Sequence, residues 1–110
     1  MIQIEIERDQ KHRVIRLEAK GHATDPKSGH KVCASVSSQI YGFVTSLSEM
    51  AKDITGGVMG LGPEGGFGHA DVAFKSYKAY RRAEYILMPV EAALKVLAER
   101  YPEEVNLRRL

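Results

Sequence analysis

The chain has 110 residues, enough to bury a core without disulfides or metals, and it reads as a single domain over residues 1–110. An apolar fraction of 44% and a charged fraction of 27% fit an ordinary globular protein, and a formal charge of +2 gives no reason to expect a nucleic-acid partner. Apolar runs fall well short of the ~18 residues of a membrane span, and one cysteine, Cys33, cannot close an internal disulfide. No membrane association is therefore expected, and the location expected is cytoplasmic. The alternating start Met1-Ile2-Gln3-Ile4-Glu5-Ile6-Glu7 agrees, since it lacks the basic start and apolar core of a signal peptide.

Ile2, Ile4 and Ile6 alternate with Gln3, Glu5 and Glu7, the period of a strand with one buried face. Asp9-Gln10-Lys11 is turn-like, and strand chemistry resumes over Val14–Ala19, so the first two elements predict an antiparallel hairpin ended by Gly21. From His22 to Lys31 the chain has no periodicity and carries Asp25-Pro26-Lys27-Ser28-Gly29, a surface loop expected to be mobile. Val36, Ile40, Phe43, Val44, Leu47, Met50 and Ala51 then recur at helical spacing, predicting a helix from about Cys33 to about Lys52.

Seven of the ten glycines fall between positions 56 and 68, and short apolar stretches flank them. This predicts a second hairpin, Val58–Leu61 with Phe67–Phe74. A second helix follows, with Ile86, Val90, Ala93, Leu94, Leu97 and Tyr101 on one face. Pro89 either kinks it or opens a separate segment, and Tyr101-Pro102 stops it. Val105-Asn106-Leu107 adds a short final strand. The order ββαββα(β) predicts an α+β fold, an antiparallel sheet with two long helices packed on it.

Gly60-Leu61-Gly62-Pro63-Glu64-Gly65 fits G-x-G-x-x-G, but the dinucleotide fingerprint needs a helix running out of it, and Gly65, Gly66 and Gly68 break any such helix. The segment reads as a hairpin turn, and no cofactor is implied. His22, His30 and Cys33 offer nitrogen and sulfur ligands, yet no further ligand stands at convincing spacing, so no metal is expected. Lys75, Lys78, Arg81 and Arg82 read as a solvated basic face. His12 and His69 read as ordinary turn and strand residues.

Cys33 opens the predicted helix, where a thiolate meets free backbone N–H groups and the positive end of the helix dipole. His22, one loop upstream in Gly21-His22-Ala23, completes the minimum set for thiol-based acyl transfer. The alternative is an inert cysteine packed as a small hydrophobe. In that case the chain is a non-catalytic ribosome- or RNA-associated binding module using the basic residues near Lys78 and Arg81. Ser35 and Ser37 read as helix-start residues, because no G-x-S-x-G elbow surrounds either.

Gly21-His22-Ala23, then a loop, then Val32-Cys33-Ala34-Ser35-Val36-Ser37 resembles the ribosomal-processing cysteine proteases of Prp type. The similarity extends over most of the chain, to the N-terminal hairpin, the glycine-bearing middle hairpin and the helix ending in Tyr101-Pro102. The resemblance implies a cysteine endopeptidase that removes the N-terminal extension of a bacterial large-subunit ribosomal protein. Carried over by position, Cys33 is the nucleophile and His22 the general base and acid. The backbone amides of Cys33 and Ala34 are then the candidate oxyanion donors. The resemblance also implies a homodimer, and a mobile loop between the two catalytic residues that orders on substrate binding. The family commonly carries aspartate three residues before the cysteine, where this chain has His30 followed by Lys31. A Cys–His dyad is therefore expected rather than a triad, with Asp25 as the alternative orienting carboxylate.

Overall fold

The computed structural model describes residues 1–61 and 66–110. Strand β1 (Ile2–Arg8) buries Ile2, Ile4 and Ile6 completely and turns Gln3, Glu5 and Glu7 the other way. The carboxylate Oδ1 of Asp9 accepts hydrogen bonds from the amides of Arg13 (2.8 Å) and Val14 (3.2 Å), and this closes the turn into β2 (Val14–Gly21). Pairing runs antiparallel from Arg8↔Ile15 to Ile2↔Gly21, so Ile15, Leu17 and Ala19 share the buried face.

Helix α1 (Gly29–Glu49) crosses that face on Val32, Val36, Ile40, Phe43, Val44 and Leu47. It starts four residues before the predicted boundary. The reason is local: the Asp25 carbonyl accepts the Gly29 N–H at 2.8 Å, and its Oδ1 accepts the amides of Lys27 (2.7 Å) and Ser28 (3.3 Å). Asp25 thus supplies the turn that Ser28 at the N-cap does not, and a polar first turn, Gly29-His30-Lys31, has no apolar period to announce it. A 3₁₀ turn, Ala51–Asp53, takes up the end of the predicted helix and leaves Ala51 exposed.

Strands β3 (Ile54–Gly60) and β4 (Gly66–Phe74) pair antiparallel. β3 begins earlier than predicted because a register shift between Ile54 and Gly56 absorbs the extra residue as a bulge, and the glycine pair does not end the strand. The G-x-G-x-x-G segment joins these two strands; its residues 62–65 lie outside the described residues.

Helix α2 (Tyr77–Arg100) is capped by Ser76, whose hydroxyl accepts the Ala79 N–H at 3.1 Å. It is one continuous helix. Pro89 lies on its exposed side, where the missing amide costs one backbone bond. The buried line is Ala79, Tyr80, Ala83, Leu87, Val90 and Leu94, so Ile86, Ala93 and Leu97 are only half-buried at its margin.

The sheet order is β3-β4-β2-β1-β5, with β5 being Val105–Arg109. The antiparallel expectation needs one correction, because β5 lies parallel to β1, Ile2 beside Val105 and Ile6 beside Arg109. Length explains it. β4 ends beside Arg13, and the 24 residues of α2 run about 36 Å back along the sheet, so β5 must start where β1 starts. The helices and the inner strand residues form one core around Phe43, Phe74, Leu87 and Leu94. The outer sheet face is polar, with Arg16 paired to Glu7 and Asp71, and Arg108 to Glu5. One end of the molecule therefore gathers the start of β1, the end of β2, the start of α1 and the α2–β5 junction. Among the described residues, no helix is long and apolar enough to cross a membrane.

Candidate active site

Gly21 ends β2 with φ of +103°, a conformation L side chains rarely adopt, and a Cβ there would run into the Met1 carbonyl oxygen. The chain turns out of the sheet at this point and presents His22, which is exposed. Ala23 then returns toward the core, and its N–H donates to Cys33 Sγ at 3.4 Å. Cys33 is half-buried on α1 between the buried Val32 and Val36. The structure thus brings the two predicted residues to one place, with the amide next after His22 resting on the sulfur. Among the described residues no hydrogen bond joins the imidazole to the sulfur directly; the contact runs through the main chain.

Because α1 starts at Gly29, Cys33 lies in its second turn rather than at its first residue. The amides of Cys33 and Ala34 therefore face the carbonyls of Gly29 and His30 within the helix ladder. Asp25 faces inward to its own turn: its Oδ1 serves the amides of Lys27 and Ser28, not the imidazole. His30 is exposed on the first turn of α1. Among the described residues, no group of three or more His, Cys, Asp and Glu is placed to hold a metal ion.

Two features escape the sequence. Glu104, just past Tyr101-Pro102, accepts the Thr24 N–H on Oε2 at 2.6 Å, and nothing local in the sequence links positions 80 residues apart. The second is a groove of about 360 Å³ between α1 and α2, lined by Ser35, Ser38, Gln39, Ala93, Val96 and Leu97. In its apolar wall Ala93 and Leu97 belong to the half-buried margin of α2 that the predicted helical face turns inward, and Val96 is exposed at the rim.

The basic residues lie at the opposite end of α2. There Arg82 pairs with Asp53 at 3.0 Å and the Arg81 guanidinium lies 5.2 Å from the centre of the Tyr85 ring. His12, in the neighbouring turn, packs against Tyr80, and His69 sits in β4 opposite Glu18.

A small α+β scaffold that sets a half-buried thiol against a histidine-bearing loop defines a candidate thiol hydrolase. The family model described as cysteine protease Prp matches residues 1–106, and the chain belongs to that family. Among solved structures, an essential ribosomal processing protease Prp from S. aureus is similar over 100% of both chains. With a substrate peptide it gives a TM-score of 0.73 at 22% identity. With a covalently linked product peptide it gives 0.72 at 23%. The protein SMU.848 from Streptococcus mutans gives 0.69 at 24% identity, covering 100% of this chain and 94% of its own. Among curated proteins, none matches this chain.

Proposed function

We propose that this member of the cysteine protease family is an endopeptidase that removes the N-terminal extension of a bacterial large-subunit ribosomal protein, with Cys33 as nucleophile and His22 as general base and acid. The observation that carries the assignment is the Ala23 N–H on Cys33 Sγ, 3.4 Å, which holds the histidine-bearing strand end against the only thiol of the chain. The substrate class is that of the S. aureus relative, whose fold this chain shares from end to end.

The reaction follows from those positions. His22 takes the Cys33 proton, and Sγ attacks the scissile carbonyl carbon to give a tetrahedral oxyanion. His22 returns the proton to the leaving nitrogen as the C–N bond breaks, leaving a thioester on Cys33. Water, deprotonated by His22, then releases the acid and restores the thiol. In the closed helix the amides of Cys33 and Ala34, the expected oxyanion donors, pair with the carbonyls of Gly29 and His30 and are not free to serve the oxyanion. The acting unit is a homodimer in the cytoplasm. Support for a dimer is the exposed stripe of Tyr85, Met88 and Val96 along the outer side of α2.

The test is cleavage of a ribosomal-protein precursor peptide, read by mass spectrometry, with Cys33→Ala and His22→Ala beside the native protein. A single cut that disappears in both variants is expected. An intact peptide in the presence of well-folded native protein would refute the assignment.

A further inference from the structure

We propose that Glu104 is a positioning residue for the Cys33–His22 reaction. Its carboxylate holds the main chain after His22 so that the Ala23 amide stays on the Cys33 sulfur. The role presupposes the protease function proposed above.

The hydrogen bonds made by residues 22–27 fall into two kinds. Those of Asp25 stay within residues 25–29 and only bend the loop into the helix. Two others tie it to the fold: Ala23 N–H to Cys33 Sγ, and Thr24 N–H to Glu104 Oε2. These are consecutive amides, so together they fix both the position and the rotation of the peptide planes that follow His22.

Glu104 is itself held on both sides. Its N–H donates to the Tyr101 carbonyl at 2.9 Å, and its carbonyl accepts the Ile2 N–H at 2.8 Å. Ile2 in turn pairs with Gly21. His22 is therefore bridged between two anchors that meet on one residue: Gly21 rests on Ile2, and Thr24 rests on Glu104, which also rests on Ile2. The acceptor is a carboxylate oxygen, the kind of acceptor that makes a stronger bond to a backbone N–H than a neutral oxygen does. Among the described ion pairs, none takes Glu104, so the carboxylate is not drawn away from Thr24.

The loop buries no large side chain, so losing this bond leaves the core intact and the consequence is kinetic. The rate of a bond-forming step depends steeply on placement, and a shift of about 1 Å costs up to about 100-fold.

The experiment is steady-state cleavage of the precursor peptide by native protein, Glu104→Ala, Glu104→Gln and, as control for a neighbouring charge, Glu103→Ala. Glu104→Ala is expected to lower kcat roughly 10- to 100-fold with KM little changed. Glu104→Gln keeps an acceptor oxygen and restores most of that rate, and Glu103→Ala behaves as native. Hydrogen exchange of the Thr24 amide accelerates in Glu104→Ala and not in Glu104→Gln. Native kcat in Glu104→Ala, equal losses in the alanine and glutamine variants, or a loss confined to KM would each overturn the role. A native protein that cuts nothing would instead remove the protease function, and the role of Glu104 with it.

Discussion

At the scale of single residues, two glycines that look alike in the sequence have opposite meanings. Gly21 needs its positive φ, and any Cβ meets the Met1 carbonyl. Gly42 lies mid-helix in α1 with open space around the place a Cβ would take. Gly21→Ala is expected to destabilise the fold by at least about 1–2 kcal/mol and to reduce cleavage further, because His22 leaves the sheet through this residue. Gly42→Ala is expected to stabilise by about 0.5–1 kcal/mol. Urea denaturation of the two variants checks both signs, and a stabilised Gly21→Ala would contradict the geometry. The Gly-His-Ala and Val-Cys-Ala segments point in the sequence to His22 and Cys33 as candidates, and the structure sets the amide that follows His22 on the Cys33 sulfur. Glu104 was not readable, since its partner is a backbone amide 80 residues away and no side-chain pattern marks such a bond.

At the scale of elements, periodicity is legible where one face is buried and silent where it is not. Ile2, Ile4 and Ile6 marked β1 without ambiguity, and Val36 through Leu47 marked the body of α1. The first turn of α1 is polar, so its start depends on Asp25, and the helical period appears only at Val32 and Val36. In α2 a wide half-buried margin blurred the phase: the sequence favours the line through Ile86 and Leu97, the structure the line through Ala83 and Leu87. The direction of β5 depends on the length of α2 and on nothing within β5. The start of α1 gives a test. Asp25→Ala removes the acceptor for Lys27 and Ser28 and should cost about 0.5–2 kcal/mol, as losing a helix cap does. Asp25→Asn, which keeps Oδ1 as acceptor, should cost much less. Thermal denaturation of both separates them, and equal losses would mean that the charge rather than the hydrogen bonds sets the helix start.

At the scale of the whole molecule, chemistry and cohesion are placed at opposite ends. The candidate site gathers where β1 begins at Ile2. Where β1 ends, Arg8 donates to Glu84 at 2.7 Å and to Glu91 at 3.0 Å, and Arg109 of β5 donates to Glu91 at 2.9 Å. This network fastens β1, α2 and β5 together. Six residues of strand, about 20 Å, separate the two ends. Burial alone would raise the Glu91 carboxyl, but hydrogen bonds from Arg8 and Arg109 outweigh it and hold the group below its ordinary value. A carboxyl whose folded value is lowered adds stability above its unfolded pKa of roughly 4.3 and loses it as pH falls through the folded value. Glu91→Gln should therefore be less stable than the native protein at pH 7, by roughly 1.5–3 kcal/mol, the range for a hydrogen bond to a charged group. The gap should close as pH falls below that of the free carboxyl. Urea midpoints from pH 7 to pH 3 measure it, and a gap that stays constant over that range would contradict the assignment. Cleavage at pH 7 and 25 °C should be unchanged in the variant, because the network grips the far end of β1 and leaves Ile2, Gly21 and Glu104 in place.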